Sequence, residues 1–214
     1  MALAELSVQS FVETVASDAP APGGGSVAAL EASIGAALTG MVACLTQGRK
    51  KYAEYAENAA LVQAQAGKLQ KRLLTIMDED SDAFNRVSAA FSLSKSTDEE
   101  KEARSAAIQD GLKGCTHTPL EMMRLSEEAI FLAFDFLDKG FNQSSASDLG
   151  VAFLSLKSAL QGAWLNVLIN LSSIKDPDFV RENRAKGEAI LQRALPLADV
   201  GYAKVLAIVQ PQQN

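Results

Sequence analysis

Apolar residues recur at spacings of three and four along nearly the whole chain of 214 residues. This is the period of an amphipathic α-helix. No stretch shows the sustained alternation of apolar and polar residues, bounded by turn residues, that is typical of a β-hairpin. The sequence therefore predicts an all-α fold. Since no repeat, low-complexity tract or long linker divides the chain, we expect a single domain over residues 1–214.

The ends of several helices can be read from capping residues. Thr97 with Glu100, and Thr118 with Glu121, have the spacing of capping boxes, and Pro119 stands at a favoured first helical position. We therefore expect one helix to end near residue 114 and another to begin at 119. The predicted helices are 6–16, 26–46 after a Ser26 cap, 53–91, 98–114, 119–139, 147–174 after a Ser147 cap, and 177–209.

The second predicted helix is rich in Ala, Gly and Ser, so other helices can approach its backbone closely. Its segment Val27–Leu45 has nineteen residues with Glu31 as the only charge, a length that could span a bilayer. Small residues dominate this segment, however, and no Trp or Tyr belt flanks it. We expect a buried helix that runs through the centre of a helical bundle, and no membrane partner. The long helix 53–91 and the apolar surface of the second and sixth helices favour self-association.

Charge and cysteine content narrow the function classes. The chain has 20 basic and 26 acidic residues, for a net charge of −6, and its longest basic run is Arg49–Lys51. This balance argues against nucleic acid as the main partner. Cys44 and Cys115 lack the spacing of a zinc site or a disulfide framework. Together with an N-terminus that carries an acid where a signal peptide carries bases, they indicate a cytoplasmic protein.

The glycine run Gly23–Gly25, followed by Ser26, is the first candidate for chemistry. Flexible glycines at a helix N-terminus present backbone N–H groups to an anionic or carbonyl oxygen. The pattern is neither a Walker loop nor a dinucleotide-binding fingerprint. It is compatible with ligand contact and equally with a plain connecting loop.

An acidic segment, Asp78–Asp82, is the second candidate. Calcium binding is rejected because Ala83 and Ala89 stand where an EF-hand loop needs Gly and Glu. One interpretation is a solvated acidic patch. The other is that Asp80 turns inward beside apolar neighbours, where desolvation would raise the pKa of its carboxyl towards the range useful for acid–base catalysis.

Two further features complete the set. Asn166 and Asn170 follow Gly162 at intervals of four on an otherwise apolar helix, where buried amides must find hydrogen-bond partners. Those partners could be neighbouring helices or the edge of a heterocycle such as a pterin. Lys50 and Lys51 could be a solvated helix end or could hold substrate carboxylates.

In this order, the features resemble the cyclodeaminase and cyclohydrolase family of folate enzymes. The resemblance covers residues from about 10 to about 180 and rests on several stretches jointly. They are Ser17–Ala29, Lys50–Tyr52, Asp80–Phe84, Thr97–Lys101, Thr118–Leu120, Ser147–Ala152 and Gly162–Asn170. The loop Gly140–Ala146 is about one residue longer than the family's usual version, which puts the role of Asn142 in doubt.

The resemblance implies an all-α homodimer that binds a reduced folate, often polyglutamylated, and that needs no metal or separate cofactor. It places the catalytic aspartate at Asp80. The expected substrate-binding residues are Gly23, Gly24, Gly25, Ser26, Lys50, Lys51, Asp148, Asn166 and Asn170.

Two reactions fit this resemblance. In the first, N10 of 5-formimidoyltetrahydrofolate closes the ring to 5,10-methenyltetrahydrofolate and ammonia leaves, with Asp80 moving the proton and Lys50 or Lys51 setting its charge or binding the substrate tail. In the second, Asp80 is the base for hydrolysis of 5,10-methenyltetrahydrofolate to 10-formyltetrahydrofolate. The alternative from another class is a non-catalytic helical bundle that binds a small molecule or a partner helix.

Overall fold

The computed structural model describes residues 2–210, and within that range it contains helices and no strand. The six α-helices are α1 (Val8–Val15), α2 (Gly24–Gln47), α3 (Ala56–Phe91), α4 (Asp98–Lys139), α5 (Ala146–Leu171) and α6 (Pro177–Val209). Short 3-10 turns cover Leu3–Glu5, Lys50–Tyr55 and Gln143–Ser145. The predicted all-α class is confirmed.

Helix α2 occupies the centre of the bundle and packs along both α3 and α5, with further contacts to α4. Its small residues permit this approach. A Cβ on Gly35 would lie 2.6 Å from Cγ of Leu156 on α5, so only glycine fits there without displacing that side chain. By length and composition α2 and the segment Gln143–Leu171 could cross a membrane, but half of the apolar window of α2 is buried inside the fold. The expectation of a central, buried Ala/Gly-rich helix is confirmed.

Helices α2 and α5 run antiparallel. At one end a Cβ on Gly24 would lie 3.7 Å from Nδ2 of Asn166. At the other end the backbone N–H of Asn142, just before α5, donates to Oγ1 of Thr46 at 3.0 Å, and its Nδ2 donates to the carbonyl of Leu45 at 3.3 Å. Asn142, which is almost fully buried, therefore ties the entry of α5 to the end of α2.

Residues 98–139 form one helix, α4, so the prediction of two helices separated near residue 114 is wrong. The Thr97–Glu100 capping box is present, but Pro119 lies inside the helix. Proline has no N–H, so the carbonyl of Cys115, four residues earlier, loses its helical donor. Nδ2 of Asn170 donates to that carbonyl at 2.9 Å, which lets the helix continue past Pro119.

Other predicted helix ends shift by a few residues, as is usual for boundaries read from sequence. Helix α2 begins at Gly24 with Gly23 as its N-cap, and the buried Ser26 hydroxyl bonds to α3 instead of capping its own helix. Helix α5 begins at Ala146 without a side-chain cap, so the expected Ser147 cap is also wrong. The start of α6 at Pro177 and its end at Val209 are as predicted.

The bond between Asn170 and the Cys115 carbonyl can be tested by a double-mutant cycle. Asn170→Ala should lower the free energy of unfolding by about 1–3 kcal/mol, because it leaves a carbonyl in the helix interior without a donor. In a Pro119→Ala background, residue 119 regains an N–H that can bond to that carbonyl, and the loss should be smaller. Urea unfolding of the four proteins measures both values. An equal loss in the two backgrounds would contradict this role of Asn170.

Candidate functional site

The Asp80 carboxyl lies where α3 passes the N-terminal turn of α2. Oγ of Ser26 donates to its Oδ2 at 3.3 Å. A Cβ on Gly25 would lie 2.6 Å from Oδ1 and 2.7 Å from Cγ, so the carboxyl rests directly on the glycine backbone. The hypothesis that Asp80 turns inward therefore agrees with its position, and the lack of a side chain at Gly25 leaves room for its carboxyl.

Ser26 connects the first turn of α2 to α3. Besides its bond to Asp80, its hydroxyl lies 3.4 Å from the carbonyl oxygen of Met77 and 3.2 Å from Oγ of Ser81. The side chain is fully buried. The position of the carboxyl relative to the glycine turn is thus fixed by several contacts.

The environment of Asp80 changes its acidity. Burial raises the pKa of this carboxyl above its ordinary value, while hydrogen bonds from the hydroxyl and the backbone N–H of Ser26 act in the opposite direction. Burial is the largest contribution, because a charged carboxylate loses hydration there. A carboxyl with a raised pKa can both accept and return a proton closer to neutral pH.

The neighbouring aspartates, Asp78 and Asp82, have surroundings different from those of Asp80. Oδ1 of Asp78 accepts from the backbone N–H of Leu3 at 2.6 Å, which holds the N-terminal segment on α3. Asp82 is exposed. The interpretation as a solvated patch therefore fits Asp82, whereas Asp80 alone of the three aspartates rests on the glycine turn.

Helix α5 lies beside the glycine turn of α2. Nδ2 of Asn166 donates to the carbonyl of Gly162 in its own helix at 2.9 Å, next to Gly24. Asn170, one turn further, supports α4 through Cys115. Both amides thus have protein partners, and the structure brings Asn166 together with Gly23–Ser26 and Asp80.

Cys115 belongs to the same region, although no sequence pattern pointed to it. Burial, together with the nearby negative charge of Asp80, raises the pKa of its thiol to about 11. The thiol therefore stays protonated near neutral pH and adds no charge beside the carboxyl. The signal that could have located it is Pro119, which leaves the Cys115 carbonyl free for Asn170.

Lys50, Lys51 and Asp148 lie at the opposite end of the bundle. They flank the end of α2 and the start of α5. The 24 residues of α2 separate them from the glycine turn by about 35 Å. Within one chain, neither lysine can set the charge of Asp80. Both lysines are exposed, and Nζ of Lys51 lies 5.4 Å from the ring centre of Tyr52.

A separate cavity of about 560 Å³ lies between α4 and α6. The single histidine, His117, lines it and packs edge-on against Phe179. Two of the cavity's cations are paired: Arg193 with Glu127 at 2.7 Å, and Arg124 with its own neighbours on α4. These side chains form an ion-pair cluster that does not involve Asp80.

Comparisons with known proteins point to one family. A family model described as "Formiminotransferase-cyclodeaminase" matches residues 7–189. A methenyltetrahydrofolate cyclohydrolase from Methylorubrum extorquens is 40% identical over 199 residues, which are 93% of this chain and 95% of that protein. A formimidoyltransferase-cyclodeaminase from Rattus norvegicus is 34% identical over 192 residues, 90% of this chain but 35% of that protein.

The fold also matches a solved structure, that of formiminotetrahydrofolate cyclodeaminase from Thermotoga maritima. The TM-score is 0.86 at 24% identity, over 97% of this chain and 100% of that chain. At that identity the match concerns the fold. The chain thus spans nearly the whole length of one relative and about a third of the length of another.

The close contact between the Asp80 carboxyl and Gly25 predicts that Gly→Ala substitutions at positions 25 and 67 have different effects on stability. Gly25→Ala should lower the free energy of unfolding by about 1–3 kcal/mol, because its Cβ would overlap the Asp80 carboxyl. Gly67→Ala on α3 should raise it by about 0.5–1 kcal/mol, because a Cβ there has no atom within 4 Å and alanine favours the helix. Urea unfolding compares the two variants. A Gly25→Ala protein as stable as Gly67→Ala would contradict the contact.

Proposed function

We propose a folate one-carbon activity for this chain, which belongs to the formiminotransferase-cyclodeaminase family. Its reaction is the conversion of 5-formimidoyltetrahydrofolate to 5,10-methenyltetrahydrofolate with release of ammonia. The observation that carries this proposal is the Asp80 carboxyl, half-buried and with a raised pKa, which lies against Gly25 in a turn whose other two glycines, Gly23 and Gly24, are exposed. At this position a potential proton carrier lies against the N-terminal turn of a helix.

The reaction requires one proton to move between two nitrogens. N10 attacks the amidinium carbon and forms a new C–N bond. N10 then gives up its proton, and the departing nitrogen must gain one before its bond to carbon breaks and ammonia leaves. Asp80 as a carboxylate accepts the proton from N10 and, once protonated, returns it to the leaving nitrogen. The positive charge of the amidinium is retained in the methenyl product, so charge and atoms balance.

The surroundings of Asp80 suit this shuttle. A carboxylate whose conjugate acid has an ordinary pKa is a weak base and would not readily take the proton from N10. Burial raises the pKa of Asp80 and so makes its carboxylate a stronger base. The Ser26 hydroxyl keeps the carboxyl oriented through its bond to Oδ2. The N–H groups of Gly23–Gly25 and the amides of Asn166 and Asn170 would hold the ring system of the substrate.

A second candidate is hydrolysis of 5,10-methenyltetrahydrofolate to 10-formyltetrahydrofolate. It is favoured by the match to the cyclohydrolase from Methylorubrum extorquens, which extends over 95% of that protein. Here Asp80 would take a proton from the water that attacks the cationic methenyl carbon. Asp80 would then return that proton to N5 as the C–N5 bond of the tetrahedral adduct breaks. The carbon stays on N10 as a formyl group, and the proton of the adduct hydroxyl is released to solvent. The same carboxyl, in the same starting state, serves both reactions.

We also propose that the reaction uses no metal and no separate cofactor, that it takes place in the cytoplasm, and that neither nucleic acid nor a membrane takes part. The tetrahydrofolate derivative is the substrate. Among residues 2–210 no group of three or more His, Cys, Asp or Glu side chains is close enough to hold a metal ion. Turnover should be unchanged after dialysis of the protein against a chelator, which tests the proposal that no metal is needed.

Self-association is proposed through an apolar face on α2 and α5. The face is defined by exposed Ile34, Met41 and Leu45 on α2 and by Val151, Leu154, Leu165 and Ile169 on α5. On each helix these residues share one side, and Oε2 of Glu31 joins the helices by accepting from Oγ of Ser158 at 2.8 Å. Two helices about 35 Å long and about 10 Å apart present roughly 700 Å². That area is close to what one partner buries in a standard interface, and a second copy is the proposed occupant.

A two-fold arrangement of this face has a consequence for the lysines. If α2 of one copy crosses α2 of the other in the opposite direction, the Lys50 and Lys51 end of one subunit lies beside the Asp80 end of its partner. The glutamate carboxylates of a polyglutamylated folate could then meet these cations. The predicted role of Lys50 and Lys51 in substrate binding is therefore proposed for the dimer, where α2 no longer separates them from the site.

Turnover measurements on Asp80→Asn test the proposed catalytic residue. With each folate substrate, the methenyl chromophore and released ammonia are followed against buffer controls. We expect Asp80→Asn to lower kcat by at least about 100-fold, because the amide cannot carry the proton, and Asp82→Asn to leave it unchanged. As a base Asp80 must begin ionised, so kcat/KM of the wild type should fall as the pH drops through its raised pKa.

The wild-type result separates the candidate functions. Chromophore and ammonia from 5-formimidoyltetrahydrofolate establish the cyclodeaminase. Accelerated loss of chromophore from 5,10-methenyltetrahydrofolate alone establishes the cyclohydrolase, and no turnover of either substrate supports a non-catalytic binding module. An Asp80→Asn variant with wild-type kcat would contradict the role of Asp80 in both reactions.

The apolar face predicts a dimer that one charge can break. Leu154 lies on this face and is 47% exposed, while Leu61, on α3 outside it, is 59% exposed. Leu154→Glu should shift the protein from dimer to monomer in light scattering coupled to size exclusion, and Leu61→Glu should leave it a dimer. A monomeric wild type, or a Leu154→Glu protein that remains dimeric, would contradict the proposed interface.

A further inference from the structure

Phe84 is a large aromatic side chain that the proposed mechanism does not use. It follows Asp80 by four residues on α3, which places the two side chains about 40° apart on the same side of the helix. Its side chain is 45% exposed. By contrast Leu73 and Met77, on the same side of α3, are 0% and 1% exposed. The sequence pattern that buries the earlier residues therefore continues to Phe84, but the burial does not.

The cause is the length of the facing helix. Helix α2 covers Leu73 and Met77 but begins at Gly24, next to Asp80, whereas α3 continues to Phe91. Phe84 therefore projects beyond the N-terminal turn of α2. A Cβ on Gly23 would have no atom within 4 Å, so this side of the turn is open.

A second exposed aromatic residue on the same side of α3 is already engaged. The ring of Phe91 lies 5.8 Å from the guanidinium carbon of Arg104, and the Phe91 carbonyl accepts from Nη2 of Arg104 at 2.9 Å. Within residues 2–210 no aromatic ring or cation stacks on Phe84. Phe84 thus offers a free aromatic face one helical turn from the proposed proton carrier.

We propose that Phe84 binds the benzoyl ring attached to N10 of the folate substrate and so helps to determine specificity for it. This inference rests on the proposed function. N10 must reach the Asp80 carboxyl, and the aryl ring bonded to N10 must then lie within a few ångströms of it. One turn of α3, a rise of about 6 Å, separates Phe84 from Asp80 along the helix. Offset or edge-to-face packing of two rings at such a separation is favourable.

The other ring system of the substrate has different requirements. A pteridine carries hydrogen-bond donors and acceptors along its edges, which suit the polar backbone of Gly23–Gly25 and the amide of Asn166. The benzoyl ring has apolar edges and lacks such groups between its two substituents. The polar and aromatic parts of the site therefore bind different rings of the substrate: the pteridine lies towards α5 and the benzoyl ring towards Phe84.

Fragment inhibition and steady-state kinetics test this division. Phe84→Leu should raise KM for the folate substrate about two- to tenfold, because an aliphatic side chain loses the aromatic contact, and should leave kcat nearly unchanged. The inhibition constant of p-aminobenzoylglutamate should rise by a similar factor, while that of a tetrahydropterin fragment should not change. Phe84→Tyr should restore both constants. Phe91→Leu, the matched control on the same side of α3, should behave as the wild type.

The outcomes separate this inference from the proposed function. If the wild type turns over a folate but Phe84→Leu keeps the wild-type KM and inhibition constants, the benzoyl-ring contact is wrong and the catalytic proposal stands. A change in the pterin constant instead would also overturn the proposed division. If the wild type turns over neither folate and binds neither fragment, the proposed function itself fails. Circular dichroism of each variant checks that the fold is retained.

Discussion

The contact between the Asp80 carboxyl and the Gly25 backbone is the constraint on which the site depends. It requires a helix to begin at the point where another helix passes, and it requires that the beginning helix have no side chain there. The Ser26 hydroxyl, whose Oγ lies within 3.4 Å of three oxygen atoms of α3, then holds the carboxyl by donating to its Oδ2. Burial and hydrogen bonding act on Asp80 in opposite directions, and the greater effect of burial leaves a carboxyl suited to proton transfer.

The small residues of α2 provide the setting for this contact. They allow α3 and α5 to approach the central helix closely, and so they bring Asp80 from one side and Asn166 from the other to the same turn. The antiparallel course of α2 and α5 also separates the two ends of the bundle. One end holds the glycine turn and the other holds Lys50, Lys51 and Asp148. For this reason one chain does not bring all the predicted site residues together.

Much of the fold follows from the sequence because helical periodicity depends on local spacing. The start of α6 at Pro177 and the Thr97–Glu100 capping box are local signals, and the structure agrees with both. Pro119 is the instructive exception. Locally it marks a helix start, but a side chain from a distant helix, Asn170, supplies the missing donor and the helix continues. Such a contact between residues 55 positions apart cannot be read from local spacing.

The site was predictable to a similar extent. The inward turn of Asp80 follows from its apolar neighbours, and the glycine run was expected to present backbone N–H groups to an anionic or carbonyl oxygen. Ser26 was expected to cap its own helix. Its side chain bonds to α3 instead, and that contact depends on how the two helices cross, which local spacing does not show. The exposure of Phe84 likewise depends on where α2 begins relative to α3, and its helical spacing alone gives no sign of it.

The most direct test of the central contact is the pKa of Asp80 itself, measured from the ¹³C chemical shift of its carboxyl carbon during a pH titration. In the wild type it should lie above the ordinary value of 3.8, because burial is the largest influence on it. In Ser26→Ala it should rise further, because the hydroxyl bond that favours the charged form is lost. A wild-type pKa at or below 3.8 would show a solvated carboxyl and would contradict the buried position of Asp80 against the glycine turn.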